Sequence, residues 1–170
     1  MAPNVLFIIC DQLRADHLGF AGNQVVRTPN IDSIAARGMV FDNAWVANPV
    51  CMPNRSTIMT GRMPTAHGVV FNDRSLDWGA NTHVRTFREA GYRTALIGKS
   101  HLQHGLSRNA VVAVDRQPVS ADPWPTGWNQ LEHAERYDGG IPDWPDDFYG
   151  FDHVELSIDH GARITGHHLH

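Results

Sequence analysis

In the stretch NPVCMPNRSTIMTGRMP, residues 48–64, Cys51 stands two positions before Pro53 and four before Arg55. A cysteine that only packs has no need of an arginine at that spacing; one that does chemistry has a use for it. Pro53 suits the first turn of a helix, which puts Cys51 at a helix N-terminus, where unsatisfied N–H groups and the helix dipole favour an anion. Arg55 then lies one turn on, on the same face. Lys99 and His101 follow the apolar run ALIG, and on an extended backbone residues two apart point the same way. Asp11 and Gln12 offer oxygen ligands to a hard cation. An anion-binding helix end, a metal and three cationic or potentially cationic side chains describe a site for a sulfate or phosphate ester.

Each residue also has a plain structural use. An aspartate after a strand commonly makes a turn or a helix cap. Cys10 reads as a small buried hydrophobe. His101 and His104 are three apart, but no cysteine or second pair completes a zinc set. The terminal histidines, at 160, 167, 168 and 170, read as solvated. Trp124, Trp128 and Trp144 read as half-buried loop anchors.

The elements that must position the chemistry follow from periodicity. NVLFIIC, residues 4–10, is a continuous apolar run, the habit of a strand buried on both faces. Residues 28–38 carry Pro29 at a helix start, Ile31, Ile34 and Ala35 at helical spacing, and Gly38 as a stop. A strand is predicted at MVFDNAWV (39–46), then the Cys51 helix to about Gly61. A helix of about eight residues ends at Gly91, followed by a strand in YRTALIG (92–98) and another in FDHVELSI (151–158). Between them, residues 105–148 lose all periodicity and form a long irregular insertion. The acids at 143, 146 and 147 in DWPDD lack the spacing of a calcium loop. The alternation argues for an α/β fold with a largely parallel sheet flanked by helices. Ligands of such sheets bind beyond the carboxyl ends of the strands. Asp11 and Gln12, Cys51, and Lys99 and His101 each follow one predicted strand.

The remaining bounds are compositional. A chain of 170 residues, 42% hydrophobic and 19% charged, is long enough for one globular domain with a sizeable core. The formal charge of -4 and the lack of a long basic run argue against nucleic acid or an anionic membrane as the main partner. Two cysteines are too few for a disulfide framework. The first residues carry no basic leader, and no apolar stretch reaches the length of a membrane span. A soluble cytoplasmic protein is expected.

The motifs CMPNRSTIMTGR, GYRTALIGKSH and PNVLFIICDQLRADHLG resemble, in order, the sulfatase nucleophile motif, the second sulfatase motif and the family's opening strand with its metal-binding acid. The match runs over residues 3–101, with YGFDHVELS a weaker one beyond. The resemblance implies a formylglycine-dependent sulfatase of the alkaline-phosphatase-like fold. A formylglycine-generating enzyme would oxidise Cys51, and the hydrated aldehyde, a geminal diol, would attack the sulfate ester. A second hydroxyl then lets the residue expel sulfate, which an ordinary hydroxyl could not do. Asp11 and Gln12, with the modified Cys51, would hold calcium or another divalent ion. Arg55 would steady the diol, Lys99 would bind the sulfate oxygens, and His101 would assist the elimination.

Two positions depart from the family pattern. Asn54 stands where serine is usual, and Gln12 where many members have a second aspartate. The resemblance also implies an N-terminal segment of a longer enzyme, with further metal ligands and a second lysine and histidine lying outside it. Residues 1–170 by themselves are expected to bind calcium weakly and to turn over no sulfate ester. Two other readings share the same residues. One is a phosphonate or phosphate ester hydrolase of the same superfamily, whose monoester substrate carries about two negative charges rather than one. The other is a truncated, inactive domain that binds anions or partners.

Overall fold

The computed structural model describes residues 2–104, 124–140 and 147–158, and the backbone of residues 163–168. These fall into two compact units, Met1–Trp45 and Val46–His170.

In the first unit, helix α1 (Pro29–Ala35) begins on Pro29, whose missing N–H costs nothing in the first turn. The Thr28 hydroxyl donates to Asp32 at 2.8 Å and accepts the Gly19 N–H at 2.8 Å. Asp32 also accepts the Phe20 N–H at 2.9 Å. These bonds tie α1 to the 3-10 turn Gly19–Ala21. No described residue of this unit is buried, and Ile31 and Ile34 of α1 are exposed.

The predicted strands at 4–10 and 39–46 do not form. Leu6 is 85% and Trp45 89% exposed. β-branched composition makes a residue fit a pleated surface, but a strand exists only where a partner takes its N–H and C=O groups. Cys10, expected to be buried, is an exposed free thiol.

The second unit holds the core. Helices α2 (Cys51–Thr60), α3 (Pro64–His67) and α4 (His83–Glu89) precede strands β1 (Ala95–Gly98), β2 (His153–Ile158) and β3 (Arg163–His168). The sheet order is β1-β2-β3. β1 runs parallel to β2, with Ala95 opposite His153 and Gly98 opposite Leu156. β3 returns antiparallel, so the sheet is mixed. β2 alternates in burial, and Val154, Leu156 and Ile158 join Met52 and Met59 of α2 and Val84 of α4 in one apolar cluster. Helix and sheet thus share a core, as an α/β layer requires. Among the described residues, no helix is long and apolar enough to cross a membrane.

The predicted irregular segment contributes more than loop. Its described part, 124–140, carries 3-10 turns at Trp128–Gln130 and Ala134–Tyr137. Trp128, Leu131 and Tyr137 are buried in the core. Trp128 is therefore a core residue rather than a half-buried anchor, edge-on to Trp124 at 4.6 Å. Asp147 of DWPDD braces α4, pairing with Arg85 at 2.7 Å and Arg88 at 3.1 Å. Residues 105–123, Trp144, the acids at 143 and 146, and the terminal histidine side chains lie outside the described residues.

Tyr149–Gly150 packs directly on α4. The Thr82 hydroxyl caps α4 by accepting the Arg85 N–H and donates to the Tyr149 carbonyl at 2.7 Å. Gly150 has φ +100, and a Cβ there would lie 2.7 Å from the Arg85 nitrogen. Gly91, after α4, has φ +87 with nothing within 4 Å. Gly91→Ala is expected to cost about 1–2 kcal/mol from the backbone alone. Gly150→Ala should cost a further ~1–3 kcal/mol, since Arg85 must also move. Urea unfolding of the two variants checks this, and equal losses would show that the Gly150 contact relaxes freely.

Candidate active site

Helix α2 delivers Cys51 and Arg55. Val50 is extended, with its N–H held by the Asn48 side chain at 2.8 Å, and Cys51 is the first helical residue. Pro53 fits the first turn because no intrahelical bond needs its N–H. Val50 has no capping side chain. The Asn72 side-chain oxygen does that work from a distance, accepting the Met52 N–H at 3.0 Å across 20 residues. The helix stops at Gly61. Cys51 is a half-buried free thiol at the positive end of α2, as expected.

Arg55 is only 8% exposed, and its Nη1 donates to the Lys99 carbonyl at 2.6 Å. That bond joins the first turns of α2 to the end of β1 across 44 residues. Arg55, one turn after Cys51, is thus bonded to the segment that carries Lys99 and His101. Segment 72–76 laces the same two elements: Asn72 caps α2, the Leu76 N–H donates to the Leu102 carbonyl at 2.7 Å, and Ser75 Oγ accepts the His104 N–H.

The route from Lys99 to His101 is not extended. β1 ends at Gly98 with φ 110, and His101 has φ 51, in the left-handed region. Strand alternation therefore does not set the directions of the two side chains. A buried carboxylate shapes the turn instead. Glu132 is 5% exposed; its Oε1 accepts from Ser100 Oγ (2.9 Å), Leu102 N–H (2.9 Å) and Gln103 N–H (3.1 Å), and its Oε2 from His101 N–H (2.7 Å). Burial pushes the Glu132 pKa up, and these donors oppose the shift. Gln103 extends the brace, donating to the Trp128 carbonyl at 2.6 Å and accepting the Leu131 N–H at 2.8 Å.

Sequence reasoning missed Glu132, Gln103 and Asn72. None sits in a recognisable motif, and each acts across 20 residues or more. The only available signals were an acid inside an irregular segment and an asparagine in a turn.

Asp11 and Gln12 lie in the first unit, at the turn after residues 4–10; Gln12 has φ 52. Their donors, one carboxylate and one amide oxygen, are of the hard kind that calcium takes. They are two oxygens where calcium takes about 6–8. Among the described residues, no group of three or more His, Cys, Asp or Glu is gathered for a metal.

Comparison with known proteins bears on this arrangement. The family model described as Sulfatase matches residues 3–139. An arylsulfatase of Clostridium perfringens is 42% identical over 103 residues, covering 60% of this chain and 21% of the relative. An N-acetylglucosamine-6-O-sulfatase of Bacteroides thetaiotaomicron is 30% identical over 145 residues, covering 85% and 23%. The chain is also similar to a solved structure in complex with its substrate, D-glucosamine-2-N,6-O-disulfate. That match has a TM-score of 0.56 and 25% identity, over 86% of this chain and 21% of the other. This chain thus spans about a fifth of the length of these curated relatives.

Two histidines near the site have their pKa pushed below the usual imidazole value. His67 shares a hydrogen bond with Thr57 of α2 at 3.0 Å, and its Nδ1 accepts the Val69 N–H at 3.2 Å, which requires an unprotonated Nδ1. Burial lowers its pKa below 6.5. Burial, then the neighbouring His104, lowers that of His133. A folded pKa below the unfolded one means that the unfolded chain takes up protons first. Their contribution to stability is complete above pH 6.5 and is lost as pH falls from there through the folded values. The urea midpoint should therefore drop more steeply between pH 7 and 5 in the wild type than in His67→Gln. Parallel slopes would show that His67 does not titrate differently on folding.

Proposed function

The chain belongs to the sulfatase family, and on that premise we propose that its site hydrolyses sulfate monoesters, with residue 51 as nucleophile. The observation that carries this reading is the 2.6 Å bond from Arg55 to the Lys99 carbonyl. It supports a single cationic pocket assembled from the two motifs. Sulfuric ester hydrolases among the relatives, an arylsulfatase and an N-acetylglucosamine-6-O-sulfatase, support the reaction class.

In this reading the helix start and the cations do most of the work. The N-terminus of α2 and the Arg55 guanidinium stabilise negative charge on the residue 51 side chain. Lys99 neutralises the sulfate oxygens as charge builds during attack at sulfur, when the ester S–O bond breaks and the alcohol leaves. His101 takes the proton whose removal lets residue 51 release sulfate. The oxidation of Cys51 to formylglycine would supply the second hydroxyl that this release needs. Asp11 and Gln12 would contribute to holding a divalent cation, which lowers the pKa of the nucleophile and polarises sulfate oxygens.

Expression alongside a formylglycine-generating enzyme should convert Cys51, because Cys51-Met52-Pro53-Asn54-Arg55 keeps the core of the motif. Mass spectrometry of the tryptic peptide ending at Arg55 decides this; a peptide with only the thiol, from a host that modifies other sulfatases, would sink the idea. In the complete protein, Lys99→Ala and His101→Ala should each lower kcat/KM for an aryl sulfate by roughly a hundredfold or more. Wild-type rates in both would make these residues structural. A faster wild-type reaction with the matching phosphate ester would favour a phosphoesterase.

A further inference from the structure

Glu132 presents an unusual balance. A carboxylate with 5% exposure is normally paired with a cation, yet the partners described here are one hydroxyl and three consecutive backbone N–H groups, those of His101, Leu102 and Gln103. Successive amides that converge in this way form an anion-binding concavity, and a left-handed residue is a usual part of its geometry. That residue is His101, at φ 51. A residue with a Cβ adopts that conformation uncommonly and at a cost. The protein's own carboxylate fills this concavity, so these amides are taken and do not bind the substrate's oxyanion. What they do is hold the turn that carries His101.

We propose that Glu132 is a positioning residue for the sulfatase reaction: by gathering the amides of residues 101–103 it fixes His101 in its left-handed conformation and so aims the imidazole. The inference rests on the function proposed above, and it assigns to the irregular segment 124–140 a share in catalysis. The segment is well suited to that share, since Trp128 and Leu131 before Glu132 and Tyr137 after it anchor it in the core, and Gln103 ties the first two to the same turn.

The test uses the complete protein carrying Glu132→Gln, which keeps the shape but offers an N–H where an oxygen faced the amides. Hydrogen exchange at the amides of 101–103 should accelerate at least tenfold, and kcat for an aryl sulfate should fall at least tenfold with KM changed less than threefold. In a His101→Ala background the same change should alter kcat less than twofold, because the residue through which it acts is gone. Glu132→Asp, which retains the carboxylate, should recover part of the lost kcat, and it carries the same measurements if the Gln variant folds too poorly to assay. An equal loss of kcat in both backgrounds, or an unchanged kcat beside accelerated exchange, overturns the proposal. A wild-type protein that turns over no sulfate ester fails the functional reading instead, while the exchange result still reports whether Glu132 holds the turn.

Discussion

A guanidinium withdrawn from water must find acceptors, and a carbonyl at the end of a strand must find a donor. Arg55 Nη1 and the Lys99 carbonyl answer one another in a bond of 2.6 Å that spans 44 residues. It ties α2 to the residue that follows β1. The surrounding contacts repeat the connection. Segment 72–76 caps α2 at one end and bonds the 102–104 backbone at the other. Met52 and Met59 of α2 belong to the same apolar cluster as Val154, Leu156 and Ile158 of β2. The start of α2 is therefore tied to the strand end by several bonds of long sequence separation, none with both ends in one motif.

Charge is arranged with the same economy. The described Glu132 carboxylate is answered by dipoles, not by a cationic side chain, so the negative charge inside the unit shapes backbone rather than cancelling Arg55. Asp147, by contrast, pairs with Arg85 and Arg88 and stabilises the seat of α4. The two units that carry the candidate residues are unequally built. Arg55, Lys99 and His101 sit in a unit with a packed core, while Asp11 and Gln12 sit in one whose described residues are all at least partly exposed.

What the sequence by itself determined is the local grammar. Pro29 and Pro53 marked helix starts, and Gly61 and Gly91 marked ends. The β1 and β2 strands were legible as apolar runs, and the Cys51, Arg55, Lys99 and His101 constellation was legible as two motifs. Each of these depends on residues within a few positions of one another, where capping, proline geometry and periodicity act. The strands predicted at 4–10 and 39–46 failed for the complementary reason. Their composition suits a sheet, but pairing is supplied by other segments, and no local pattern provides it. Only the tertiary structure decided that Asn72 caps α2, that Trp128 and Leu131 belong to the core, and that Glu132 bends the chain after Lys99. The alternation inferred for Lys99 and His101 gave way at that point, because a buried carboxylate 31 residues distant collects the amides that an extended strand would have sent to a neighbour.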